Sequence, residues 1–277
     1  MREFRKKQRA LKRIMHTLVI IGVVFILVYI GVQPTVAELS SKAAIICSYI
    51  CDFLVIANMV VVFIYYTKYG KTDAFLDRME HEISDCGYYF TKSSKKTVLD
   101  FISEAEGSFK YDGFAVQSNI EIDDLDFAFT AYKSKEFYYF PDVEDLNRDD
   151  VTAYTDIVIN DIAVHNLKRS GNGVICFVTD KAQESAVALS KMITPLGKKE
   201  QIKIAIAIVE PETSKCYFLG NMQTKCQQMI ANYILKAPVP IPEELKGKEK
   251  LPFQSELEEK MKHFSAKEFL NGTFYVH

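Results

Sequence analysis

Two long apolar runs open the chain. Leu18 to Val32 is apolar apart from Tyr29, and with Ile14 to Thr17 it reaches the roughly 20 residues a helix needs to cross a hydrocarbon core. Gln33, Pro34, Glu38, Ser40, Ser41 and Lys42 break this run, and Ala43 to Tyr66 resumes it for about 24 residues. The pattern predicts a transmembrane hairpin over residues 17–66, with spans at about 17–33 and 43–66 and a short polar loop between them.

Beyond Thr72 the periodicity changes to that of a packed domain. Phe75, Met79 and Ile83 recur at fourfold spacing and predict a juxtamembrane helix that extends the second span. A further helix is expected from about Ser94 to Ala105, with Val98, Phe101, Ile102 and Ala105 on one face. Alternation then marks three strands: Phe114 to Ile122, Leu125 to Ala131 and Phe137 to Phe140. Asp123-Asp124 and Lys133-Ser134-Lys135 are the turns of an antiparallel meander. A long helix is expected from Asp149 to Lys168, a buried strand from Val174 to Val178, a helix around Ala182 to Met192, and a central strand from Ile202 to Val209. Glu210-Pro211 turns that strand into Lys215 to Leu219, and a helix follows through Met229 and Ile234. Pro238, Pro240 and Pro242 form an extended segment, after which Ser255-x-x-Glu258 and Ser265-x-x-Glu268 read as capping boxes.

The expected fold class is therefore a mixed α/β (α+β) cytoplasmic domain attached to a two-helix transmembrane hairpin. Its parts are a basic cytoplasmic tail (1–16), the hairpin (17–66), a juxtamembrane helix and linker (67–90), the mixed domain (91–236), and a Pro-containing segment with a C-terminal helix (237–277).

Charge sets the orientation. Seven Arg and Lys against Glu3 give the first sixteen residues about +6, whereas the loop between the apolar runs carries one Lys, and Lys68 and Lys71 follow the second run. Positive-inside bias places the N-terminus and the C-terminal domain in the cytoplasm, as a multi-pass protein of the cell membrane. A cleavable signal ending near Thr35-Val36-Ala37 is the rival reading, and the second run would still anchor the domain on the same side. With a formal net charge of −2 overall, residues 67–277 carry about −7, which does not favour nucleic acid as a partner. No two of the six cysteines make a C-x-x-C pair, and reduced, buried thiols are expected.

Asp52 is the odd residue of the second run, with Asn58 deeper. An Asp near the bilayer centre costs about 2.5–3.5 kcal/mol, which about a dozen apolar neighbours offset. Its carboxyl group must then be protonated, water-exposed, or bonded to Tyr29, Ser48 or a neighbouring copy, and the last of these makes a homo-oligomer through the hairpin one of the open readings.

No phosphate loop, dinucleotide fingerprint, zinc-protease helix, EF-hand loop or nucleophile elbow is present, and no cofactor or metal site is read from the residues. His165, one turn after Asp161, is the single histidine that invites a metal reading, and it lacks a third ligand. The order helix, three-strand meander, helix, strand between Ser94 and Val178 resembles the core of the restriction-endonuclease-like, PD-(D/E)xK, nucleases. That resemblance implies a divalent metal such as Mg²⁺ held by an acid on the second strand and an acid-x-Lys motif on the third, activating water for phosphodiester cleavage. Asp126 falls at a fitting second-strand position and Glu136 on the third, but Tyr138 stands where the family has lysine; Lys133 or Lys135 would have to substitute. The leading expectation is a membrane-anchored binding, sensing or scaffolding module that engages the bilayer and a cytoplasmic protein or ligand. A tethered metal-dependent nuclease, with Asp126 and Glu136 catalytic, is the alternative, and a subunit of a small oligomeric channel the third.

Overall fold

The computed structural model describes residues 1–39, 41–92, 95–164, 170–197 and 201–274. The chain divides into two compact units, one of Met1–Glu80 with Leu257–His277 and one of His81–Glu256.

The first unit is built on α1 (Arg2–Leu39) and α2 (Ser41–Ser84), both long and apolar enough to cross a membrane. They run antiparallel: Lys12 Nζ lies 2.9 Å from Asp73, and the Tyr29 hydroxyl donates to the Ala44 carbonyl at 3.1 Å. The basic first sixteen residues are thus helical turns of α1, where the sequence reading has a tail. Pro34 lies within α1 near its end, where it removes one backbone donor without stopping the helix, so the expected polar break shrinks to the neighbourhood of Ser40, outside the described residues. Fourfold apolar spacing keeps α2 helical as far as Ser84.

The second unit is a three-layer α/β/α body. Its elements are β1 (Tyr89–Phe90), α3 (Val98–Tyr111), β2 (Ala115–Ile122), β3 (Leu125–Lys133), β4 (Glu136–Phe140), β5 (Asp145–Leu146), α4 (Arg148–Val164), β6 (Gly171–Val178), β7 (Lys181–Ala182), α5 (Glu184–Leu189), β8 (Ile193–Leu196), β9 (Ile202–Glu210), β10 (Lys215–Tyr217) and α6 (Lys225–Ile230), which a π turn, Ala231–Leu235, prolongs. The main sheet is mixed, in the order β1-β10-β9-β6-β4-β3-β2, with β8 beside the first half of β9; β5 and β7 pair separately. The meander β2-β3-β4 is antiparallel, and β4, β6 and β9 are parallel to one another. Successive residues of the central strands feed opposite faces: Val174, Cys176, Ala205 and Ala207 meet α3 and α6, while Ile175, Phe177, Ile204 and Ile206 meet α4 and α5. A parallel centre covered on both sides explains why β6 reads as an unbroken apolar run.

Several boundaries differ from the periodicity. Thr97 caps α3, its hydroxyl accepting from the Asp100 amide, so the helix starts at Val98, and it runs on to Tyr111, past the expected end at Ala105; the expected start at Ser94 lies outside the described residues. The expected ends of α4 at Lys168 also fall outside them. The expected helix Ala182–Met192 contracts to α5, because Lys181–Ala182 pairs as β7. Strand β8 is unexpected, since Pro195 interrupts its alternation; a short strand facing β9 on one side tolerates that proline.

Lys191, just after α5, is fully buried in the second unit. Its ammonium donates to Asp85 Oδ2 at 2.5 Å, to the Gly87 carbonyl at 2.6 Å and to the Phe218 carbonyl at 2.7 Å, while the Tyr89 hydroxyl donates to Asp85 Oδ1 at 2.7 Å. Burial and the Asp85 charge push the Tyr89 hydroxyl well above its ordinary range, so it stays a donor.

The chain closes with α7 (Pro252–Lys262) and α8 (Ala266–Leu270). Ser265 caps α8 as its capping box predicts, accepting from the Glu268 amide. Ser255 does not cap α7, because Pro252, pre-set for the first helical turn, starts the helix three residues earlier. In the first unit Phe75 stacks on Phe269 at 4.4 Å, with Phe4, Phe264 and Phe274 completing an aromatic cluster.

Candidate functional site

The two acids singled out by the nuclease resemblance are not brought together. Glu136 pairs with Lys133 at one end of the β3-β4 hairpin, and Asp126 lies about seven residues along β3, about 23 Å away at ~3.3 Å per residue. Strand register, invisible in the order of elements, decides this. Asp126 is exposed, faces Glu121 across β2, and gives its carbonyl to the Tyr154 hydroxyl at 3.1 Å.

Asp126 belongs instead to the edge where the parallel strands end. Asp142 follows β4 and Asp180 follows β6. Lost solvation and the nearby Asp180 charge push the Asp142 carboxyl above its ordinary range, and burial together with Asp126, Asp150 and Asp142 pushes the Tyr154 hydroxyl up. No lysine joins these acids in an ion pair among the described residues, and no three His, Cys, Asp or Glu groups there could hold a metal ion. His165 lies outside the described residues.

Glu136 belongs to the opposite edge, where the parallel strands begin. A hollow of about 440 Å³ opens there, with Lys135 from the β3-β4 turn, Asn172 from β6, Lys203 from β9, and Thr224 and Lys225 from the start of α6 on its wall. Glu136, on the same edge, forms an ion pair with Lys225 at 2.8 Å. The Asn172 amide donates to the Lys135 carbonyl at 2.8 Å, which fixes the turn against β6. Gly171 permits that approach: a Cβ there would lie 2.4 Å from the Phe137 ring and 2.8 Å from the Lys135 carbonyl. Beneath the wall, burial pushes the Cys226 thiol up to about 11, and its Sγ sits 3.7 Å from Asn172 Oδ1, so it serves as a neutral donor. Three exposed ammonium groups beside amide and hydroxyl groups form an anion-attracting surface. Sequence reading weighed Lys135 only as a stand-in for the missing nuclease lysine. Lys203 and Lys225 gave no signal, being ordinary lysines at the starts of a strand and a helix.

The polar residues of the second apolar run part company. Asn58 turns toward α1, where a Cβ on Gly22 would lie 2.0 Å from its Nδ2, so the glycine makes room for the amide. Asp52 is exposed on the outer side of α2 and has no hydrogen bond among the described residues. Tyr29, one expected partner, gives its hydroxyl to Ala44 instead.

No family model, curated protein or solved structure matches this chain.

Proposed function

We propose that the chain is a membrane-anchored cytoplasmic binding module, with α1 and α2 crossing a bilayer as a hairpin and the lysine-lined hollow receiving a compact anionic group such as a phosphate. The observation that carries the anchoring is the exposed apolar band on both helices: Ile20, Leu27, Phe53 and Phe63 are each more than 60% exposed. Such a band is foreign to a water-facing helix and ordinary for one in lipid. The ligand class follows from Lys135, Lys203 and Lys225 converging on one hollow, with Glu136 the carboxylate that pairs with Lys225 among the described residues. The basic flank of α1 and the poorly charged turn support cytoplasmic placement of both termini.

Reporters fused after Tyr69 and at His277 are expected to read as cytoplasmic, and an extracytoplasmic signal from His277 would overturn the orientation. For the ligand, the full chain in detergent is titrated with inorganic phosphate and pyrophosphate by calorimetry. Binding that weakens at least tenfold in Lys135→Ala/Lys203→Ala supports the reading; identical titrations for wild type and variant reject it. Metal-dependent cleavage of labelled DNA or RNA by the same preparation would replace it with the nuclease alternative.

A further inference from the structure

On the side of α2 away from α1, six residues recur at alternating spacings of four and three: Ile45, Tyr49, Asp52, Ile56, Met59 and Phe63. This is the 3.5-residue repeat of a helix seam. Every member is exposed, Tyr49, Met59 and Phe63 among the most open side chains of the helix at 70%, 68% and 69%. The opposite side of α2, with Cys51 and Asn58, is the one that faces α1. The hairpin's own packing therefore leaves the seam uncovered.

Asp52 lies at the middle of this stripe, about 13 Å of helix rise from the start of the apolar run at Ala43. A side chain as short as Asp does not reach a headgroup from that depth, and hydrocarbon offers no hydrogen bond. One turn before it, the Tyr49 hydroxyl likewise has no bond among the described residues. Donor and acceptor thus sit side by side on a single stripe. Two copies inserted with the same orientation are related by a twofold axis along the membrane normal, which sets each residue level with its own copy; each copy's tyrosine then lies three residues, about 4.5 Å of helix rise, from the other's aspartate, a gap a tyrosine side chain spans.

Resting on the membrane-anchored reading, we infer that this seam is covered by a second copy of the same chain, with Tyr49 of each copy donating to Asp52 of the other. The surrounding Ile45, Ile56, Met59 and Phe63 supply close packing, and the polar pair fixes register, as a single polar seam residue does in paired helices.

The test uses the full chain in native membranes, in a Cys47→Ala/Cys51→Ala/Cys86→Ser background that does not crosslink by itself. Single cysteines at Met59 and Phe63, on the seam, are compared under mild oxidation with cysteines at Ile46 and Ile64, which are lipid-exposed about 100° around the helix. The seam positions are expected to form disulfide dimers at least fivefold more efficiently than the controls. Asp52→Asn, whose amide still accepts a bond, is expected to keep that yield, while Asp52→Leu and Tyr49→Phe lower it several-fold. Equal crosslinking at all four positions, or an Asp52→Leu yield equal to wild type, overturns the seam. Alkaline extraction separates the two readings: a chain that stays in the membrane as a monomer sinks the seam alone, and a chain released into the supernatant sinks the anchor and the seam with it.

Discussion

Each unit of this protein buries a cation, and the two solve the problem differently. In the first, the Arg5 side chain is 4% exposed and reaches Asp73 at 2.6 Å, Asp77 at 3.1 Å and Glu80 at 3.1 Å, one turn of α2 after another, with Arg9 also bonding Glu80. Its acids are still partly wet: Asp77 is 61% exposed. In the second, Lys191 has one carboxylate and two carbonyls, and neither partner of the ion pair touches solvent. A planar fork can serve several acids along a helix, whereas an ammonium with three donors saturates one closed pocket. The first arrangement tolerates loss of a member because water can enter; the second does not.

The sharpest way to test that contrast is Lys191→Met, which strands the buried Asp85 charge and two carbonyls. It is expected to cost about 3–5 kcal/mol, read from urea unfolding of the full chain in detergent. Adding Asp85→Leu should return part of that loss; a single variant within 1 kcal/mol of wild type would remove the pair from the stability of this unit. Arg5→Ala is expected to cost less, about 1.5–3 kcal/mol, by protease resistance of the helical pair. Raising salt to about 1 M, where the screening length is about 3 Å, should shrink the Arg5 effect and leave the Lys191 effect nearly unchanged.

Acid should distinguish them too. Burial opposes ionisation of Asp73, but hydrogen bonds from Lys12 and Arg5 prevail and hold its carboxyl below the ordinary range. A depressed carboxylate contributes its stability above its unfolded pKa of about 3.9, and the contribution fades as pH falls through the lowered folded value. Between pH 5 and 2 the helical pair should loosen, and Asp73→Asn should start weaker and respond less steeply; parallel acid curves would contradict this. The smallest effect expected is that of Tyr89→Phe, about 1–2 kcal/mol, because Asp85 keeps Lys191 as its main partner.

What the sequence reveals follows from the range of the forces involved. Alternation is local, so the meander and β9 are legible, and Asp123-Asp124 announces a turn that the structure builds with φ of 46° and 65° at these residues. Strand β8 and the continuation of α1 through Pro34 depend on neighbours and escape a local pattern. Lys191 gives no warning at all: in Ser190-Lys191-Met192 it reads as a solvated helix end, and its acceptors come from distant parts of the chain, Asp85 and Gly87 more than a hundred residues before it and Phe218 27 residues after it. The hollow fails the same way, since its lysines come from three elements, and the separation of Asp126 from Glu136 is a matter of register.

The two charged edges of the central sheet have a consequence for motion before contact. Residues 67–277 carry about −7 overall, yet one end of the parallel strands gathers Lys135, Lys203 and Lys225 and the other Asp126, Asp142 and Asp180. Charge separated in this way is a permanent electric dipole, and a field acts on it as a torque. Near an anionic surface or polyanion the body turns its lysine end forward while its net charge holds it back, so orientation is settled within about one Debye length, about 8 Å at physiological salt. The encounter is selective for pose before any hydrogen bond forms, and salt erases the selectivity first.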